Sequence, residues 1–262
     1  MDITPQTVNK APFPETSSEI KTTPTRSIAA IIPAYNEAGR IRQVLQVLHQ
    51  VEQLGEIIVV DDGSQDATAQ ESRLEAETDP RIRLIIQSTN MGKGQAIFTA
   101  WQATRAAYLI VLDADLFGLA PKHIEDLYKP VLEGQADMTI GLFRGGYWRT
   151  DLSHRGSPWL SGQRCIRADL LKAISWDAAA GYGIETALTV ASQLNDWSVM
   201  RVPLQGVWHL PSEQRRGLWR GARNRSKMYL QIIRAWYVAG GLTHLGIRLG
   251  RKPRVSDLNR SH

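Results

Sequence analysis

The sequence predicts an α/β fold, a mostly parallel sheet flanked by helices, and three observations predict it. Short β-branched runs alternate with helix-length segments from residue 27 onward. The runs are apolar at nearly every position, as strands covered on both faces are, instead of alternating apolar with polar. Each run ends in a polar cluster instead of a tight hairpin turn, which calls for crossover connections between parallel strands. At 262 residues, 43% hydrophobic and 22% charged, the chain can bury a sizeable core as one large or two small domains, which excludes a mini-protein or a disordered chain. The single cysteine, Cys165, forms no internal disulfide, and no Cys/His cluster has zinc spacing, so packing carries the fold.

In chain order, residues 1–26 hold Pro5, Pro12, Pro14 and Pro24 among Ser, Thr and Glu and predict a disordered tail. Strands are expected at 28–32, 57–60, 82–86 and 109–112, with helices at 38–51, 66–77 and 92–106 between them. The pattern then changes. A helix is expected at 121–132 with Pro121 in its first turn, a strand at 136–142, and a long polar-aromatic loop at 144–162 containing Gly146, Trp148 and Trp159. Helices follow at 168–174 and 184–194, strand-like runs at 199–202 and 206–208, and a basic helix at about 212–238. The expected division is a core domain at 27–210, with halves 27–120 and 121–210, and a basic helical segment at 211–262.

The net charge of +5 hides an asymmetry: residues 201–262 hold 13 Lys and Arg against 2 Asp and Glu. An anionic partner is therefore met near the C-terminus. Nucleic acid is set aside because no recognisable nucleic-acid module accompanies the charge; phosphate groups or an anionic membrane surface remain. The basic helix places Leu218, Ala222, Tyr229, Ile232, Ile233 and Trp236 on one side and Arg216, Arg220, Arg223 and Lys227 largely on another. Such a helix packs on the core or on a partner subunit, as in a homodimer, or lies on anionic lipid as a peripheral contact. With no basic-then-apolar leader and no apolar run of about 20 residues, a cytoplasmic protein is expected.

In sheets of this kind ligands sit at the carboxyl ends of the strands. The first strand ends in Pro33-Ala34-Tyr35-Asn36-Glu37 and the second in Asp61-Asp62-Gly63-Ser64-Gln65-Asp66. Neither is the glycine-rich turn of a dinucleotide site, and Gly92-Lys93-Gly94 lacks P-loop spacing, so nicotinamide and P-loop chemistry are excluded. Asp61 and Asp62 either accept hydrogen bonds from a base or ribose or, with Ser64, shape a turn before Asp66 caps the next helix. The fourth strand ends in Asp113-Ala114-Asp115, whose carboxylates two residues apart face one side and can converge on a hard cation, Mg²⁺ or Mn²⁺, bridging diphosphate oxygens.

With Asn90-Met91-Gly92-Lys93-Gly94 and Thr68, these motifs make residues 28 to about 225 resemble the GT-A-fold, family 2 glycosyltransferases. The resemblance implies that Pro33, Ala34, Tyr35 and Glu37 line a nucleotide-sugar pocket. It implies that Asp62 or Asp61, with Lys93, contacts the base, and that Asp113, Ala114 and Asp115 hold ribose and the metal-diphosphate. The second half more narrowly resembles the glucosyl-3-phosphoglycerate synthases and related bacterial transferases, through Gly145-Gly146 with Arg149-Thr150, Leu160-Ser161-Gly162, Gly181-Tyr182-Gly183-Ile184-Glu185 and Val207-Trp208-His209. That implies His209 as a further metal ligand, and an acceptor site of Arg149, Thr150, Gly162, Arg164, Tyr182 and Glu185. Glu185 and Asp115 are the expected catalytic residues, Glu185 either deprotonating or positioning the acceptor hydroxyl.

Two departures bear on the acceptor. The run after Asp115, 116–121, lacks the Gln-then-prolines of dolichol-phosphate mannosyltransferases, and Gly162-Gln163-Arg164 replaces the small or acidic residue that the phosphoglycerate enzymes carry after glycine. The expectation is a metal-dependent transfer of a hexose from a nucleotide-diphosphate sugar to a small, acidic or phosphorylated acceptor. Alternatives are a membrane-associated polyprenyl-phosphate transferase and a non-catalytic nucleotide- or membrane-binding module. A sugar nucleotidyltransferase is excluded by its missing glycine-rich first loop.

Overall fold

The computed structural model describes residues 27–145, 161–174, 176, 179 and 183–209. The expected tail, the basic helix and the 146–160 loop lie outside them.

Strands β1 (Ile28–Ala34), β2 (Leu54–Asp61), β3 (Ile82–Ile86) and β4 (Tyr108–Val111) alternate with helices α1 (Ile41–His49), α2 (Thr68–Thr78) and α3 (Lys93–Ala103). Then follow α4 (Pro121–Leu132), β5 (Met138–Arg144), β6 (Arg164–Arg167), a 3₁₀ helix (Ala168–Ala173), α5 (Ile184–Leu194) and β7 (Val199–Gln205). One sheet runs β3-β2-β1-β4-β6-β5-β7.

Period-two burial explains why the strands read as continuous apolar runs. In β1, Ile28, Ala30 and Ile32 pack into one core with Ile41, Val44, Leu45 and Leu48 of α1 and Ile124, Leu127 and Val131 of α4. Ala29 and Ile31 pack into a second core with Ala96, Ile97 and Ala100 of α3 and Ile184 and Leu188 of α5. Every second residue thus serves the opposite face, and both faces are covered by helices.

The sheet is mixed: β1–β2, β1–β4, β2–β3 and β5–β7 pair in parallel, but β6 runs antiparallel to both β4 and β5. No strand was expected at β6, because Arg164-Cys165-Ile166-Arg167 has neither the length nor the β-branched content of its neighbours. Pairing on both edges overrides its weak propensity. The antiparallel direction has a functional consequence. The residues that lead into β6, Gly162 and Gln163, join the same rim as the ends of β1, β2, β4 and β7.

Candidate active site

Backbone amides first lock the rim together. Past β1, Asn36 takes a left-handed conformation with φ 55, which Asn tolerates better than most side chains. The following amides lack strand partners, and each donates to a side-chain oxygen beyond β2. Asn36 reaches Ser64 Oγ (2.9 Å), Glu37 reaches Thr68 Oγ1 (2.8 Å), Ala38 reaches Asp66 Oδ2 (3.2 Å) and Gly39 reaches both Glu71 carboxylate oxygens (2.9 Å). Burial opposes ionisation of Asp66, but hydrogen bonds from Thr68 and Ala38 outweigh it and lower its pKa. Pro33 and Ala34 thus end β1 and lead through Tyr35 into a clamped loop that holds Glu37, whose Oε2 accepts from Arg40 Nε at 2.6 Å.

The two adjacent aspartates diverge. Asp62 faces the loop before α3, where Oδ1 accepts the Met91 amide (2.7 Å) and Oδ2 the Gly92 amide (2.8 Å). Each of its oxygens already holds a backbone amide, and it shapes the loop that leads into Lys93. Asp61 Oδ1 accepts the Ser64 amide at 3.0 Å, and among the described residues its other oxygen accepts no hydrogen bond.

Lys93 is the electrostatic centre of the site. Its ammonium donates to Asp113 Oδ1 at 2.5 Å and to Glu185 Oε1 at 2.6 Å, joining residues 92 positions apart. Gln163 Nε2 donates to Asp113 Oδ2 at 2.7 Å. Burial disfavours the charge on Lys93, yet the two carboxylates outweigh it and raise the pKa. Burial likewise opposes ionisation of Asp113, and Lys93, His209 and Gln163 overcome it, so the pKa falls. Gly162 lies against this pair: a Cβ there would stand 2.9 Å from both Asp113 carboxylate oxygens and against the Lys93 ammonium.

Asp113, expected as a metal ligand, accepts a hydrogen bond at each oxygen, from Lys93 and from Gln163. Lys93, expected at the base, bridges two carboxylates. Arg164, expected at the acceptor, is 1% exposed. Its guanidinium donates to the carbonyls of Ser161 (Nε, 3.0 Å) and Glu185 (3.2 Å) and to Thr189 Oγ1 (3.3 Å), inside the protein. Burial lowers its pKa to about 10, against the opposing pull of Glu185. Arg164 thus anchors the first turn of α5, on which Glu185 stands, 19% exposed in its side chain. Gln163 was not singled out from the sequence, since a lone Gln carries no spacing signal. Arg149, Thr150 and Tyr182 lie outside the described residues.

Asp115 is buried at 6% exposure, with the Ala114 side chain turned into the core. Two residues on, Phe117 bridges to Trp208, which brings His209 to the Asp113-Ala114-Asp115 loop. The His209 ring meets Phe143 edge-on at 5.4 Å. Among the described residues no group of three or more His, Cys, Asp or Glu could by itself hold a metal ion. The side chains whose chemistry suits a divalent cation are Asp115 and His209, a carboxylate oxygen and an imidazole nitrogen. Mg²⁺ in particular is commonly bound by one or two carboxylates, with substrate phosphate and water completing the shell.

The family model described as glycosyl transferase family 2 matches residues 29–183, from β1 to the residue before α5. The chain belongs to glycosyl transferase family 2. Similar members include a dolichyl-phosphate β-glucosyltransferase of Trichomonas vaginalis, 37% identical over 122 residues covering 42% of this chain and 34% of that protein. An undecaprenyl-phosphate mannosyltransferase of Micrococcus luteus is 28% identical over 204 residues, covering 69% of this chain and 83% of its own length. The match thus spans about a third of the first relative and most of the second. Among solved structures, a glucosyl-3-phosphoglycerate synthase from Mycobacterium tuberculosis, crystallised with Mn²⁺, UDP-glucose and phosphoglyceric acid, superposes with a TM-score of 0.61 at 23% identity over 79% of this chain and 80% of that one. The fold is thereby GT-A. The family 2 match encloses the clamped loops, Lys93, Asp113, Asp115 and Arg164, whereas Glu185 and His209 lie beyond it. No helix of the described residues is long and apolar enough to cross a membrane.

Proposed function

We propose that this family 2 glycosyltransferase moves a hexose from a nucleotide-diphosphate sugar to a small acidic or phosphorylated acceptor, with Mg²⁺ or Mn²⁺ at Asp115 and His209. The observation that carries the reading is the Lys93 bridge, which joins the nucleotide-side carboxylate Asp113 to Glu185 at one rim. The end of β1, Pro33 and Ala34, and the clamped loop through Tyr35 and Glu37 line the nucleotide pocket. Asp61, whose second oxygen takes no hydrogen bond among the described residues, accepts from the base, and Asp113 faces the ribose. Glu185, held beside Lys93 and anchored from below by Arg164, accepts a hydrogen bond from the acceptor hydroxyl and orients it. Arg149, Thr150 and Tyr182 complete the acceptor side, the arginine through charge-assisted bonds to phosphate or carboxylate. When bound, the cation would neutralise charge that develops on the departing diphosphate. Supporting a small acceptor is the phosphoglycerate-bound structure of the same fold, and the excess of basic residues after position 200 fits an anionic one.

A second acceptor class, polyprenyl phosphate, is favoured by the 69% of this chain that matches the Micrococcus enzyme. Both classes present a phosphate, and a screen separates them. UDP- and GDP-hexoses are incubated with phosphoglycerate or with polyprenyl phosphate in vesicles, with Mn²⁺ or EDTA, and nucleotide release is read. Release that needs the metal is expected, falling at least about 100-fold in Asp115→Ala while the unfolding midpoint holds. Turnover that survives EDTA or that substitution refutes the metal role; tight nucleotide binding with no release against any acceptor favours a binding module.

A further inference from the structure

Asp115 follows β4 and His209 follows β7, and in the sheet order β6 and β5 stand between those strands. Three strand spacings of about 4.8 Å put the two strand axes roughly 14 Å apart. A cation needs both ligands at about 2.1 Å. Strand pairing therefore cannot bring them together; the segments beyond the strands must cross the rim.

We infer that the pair Phe117–Trp208 is a clasp that sets the separation of Asp115 and His209, so that a divalent cation meets a preformed pair of ligands. The inference rests on the metal reading proposed above. The Phe117 amide donates to the Trp208 carbonyl at 2.8 Å, and the Trp208 amide to the Phe117 carbonyl at 3.1 Å. The two rings stack with centroids 4.5 Å apart and planes 17° from parallel. Because the bridge is antiparallel, the chain before Phe117 and the chain after Trp208 leave it at the same end, which is where Asp115 and His209 lie. Leu116 and Val207, 2% and 0% exposed, fix the segments to the core on either side.

The clasp also explains a glycine. Gly118 has φ 69, and a Cβ there would run into the Gly206 carbonyl oxygen. Only a residue without a side chain lets the two segments approach this closely. Phe143, 1% exposed, backs the His209 ring and limits its rotation. Phe117, Trp208 and Gly118 are thus positioning residues that act through the two ligands, as supporting side chains do around bound metals.

Free Mn²⁺ is followed by electron paramagnetic resonance during titration of the full chain, without donor, for wild type, Trp208→Ala, Trp208→Phe and Gly118→Ala, with the unfolding midpoint of each. Trp208→Ala and Gly118→Ala are expected to raise the Mn²⁺ dissociation constant about 10–100-fold. Trp208→Phe, which keeps a stacked ring, stays near wild type. Should Trp208→Ala not fold, Phe117→Leu keeps apolar bulk without the stack and reads the same loss. Wild-type affinity in the folded Ala or Leu variants overturns the clasp while leaving the metal reading intact. Absence of saturable Mn²⁺ binding by donor-free wild type overturns the preformed pair, whereas the metal reading itself falls only if nucleotide release survives EDTA.

Discussion

Replacing Asp79 by Asn tests whether the end of the sheet opposite the site carries stability that is independent of chemistry. Asp79 lies at the end of α2, 2% exposed. Its carboxylate accepts from Arg81 Nη2 at 2.7 Å and pairs with His49 Nδ1 at 3.0 Å. Arg81 also donates to the carbonyls of Val51 and His49 at 2.7 Å each, so one cation ties α1, α2 and β3 together. Hydrogen bonds from Arg81, against burial and with help from His49, lower the Asp79 pKa from 3.8 to about 2. At about 1.4 kcal/mol per unit, that pairing contributes about 2–3 kcal/mol, on the order of two pKa units' worth. The folded pKa lies below the unfolded one, so the contribution is fully present above pH 3.8 and is lost as pH falls toward 2. Urea unfolding of wild type and Asp79→Asn at a series of pH values reads it directly. A gap of about 2–3 kcal/mol at pH 7 is expected to close below pH 3.8, with nucleotide release at pH 7 unchanged. No gap, or one that stays constant with pH, refutes the assignment.

At the other rim, Lys93→Met leaves Asp113 and Glu185 as like charges without their shared cation. A loss of about 2–3 kcal/mol in urea unfolding and a raised KM for donor are expected; unchanged values for both mean the bridge is incidental. Gly162→Ala pushes a methyl group into the Asp113–Lys93 contact. It is expected to lower kcat/KM at least about tenfold, a loss of about 1.4 kcal/mol in transition-state stabilisation, while circular dichroism stays native. Full activity would mean that Lys93 moves aside without consequence.

The elements legible in the sequence were those whose local signals agree with their surroundings. The strand at 82–86 and the helices Pro121–Leu132 and Ile184–Leu194 are found at the expected limits. There apolar spacing, Pro121 at the helix start and glycine before Ile184 all point one way. β6 was hidden because its Arg164 is buried by a partner distant in sequence, the Glu185 carbonyl on α5, together with the Ser161 carbonyl three residues before it. Asp113 and Asp115 were visible as a pair, but not that Gln163 and Lys93 would occupy the first of them. Likewise, the doublet Asp61-Asp62 offers the same chemistry twice, and only the position of the Met91 and Gly92 amides distinguishes one from the other.

By itself, the order of residues determined the layered fold and the acidic strand ends, because periodic burial and turn chemistry are written over a few neighbouring positions. Tertiary structure alone decided the partners: Lys93 with Glu185, Asp62 with the loop before α3, and Phe117 with Trp208. These contacts join segments tens of residues apart, and they form only once seven strands have been placed side by side. Which carboxylate Lys93 neutralises follows from that placement, since a charge's surroundings are set by neighbours in space and not along the chain.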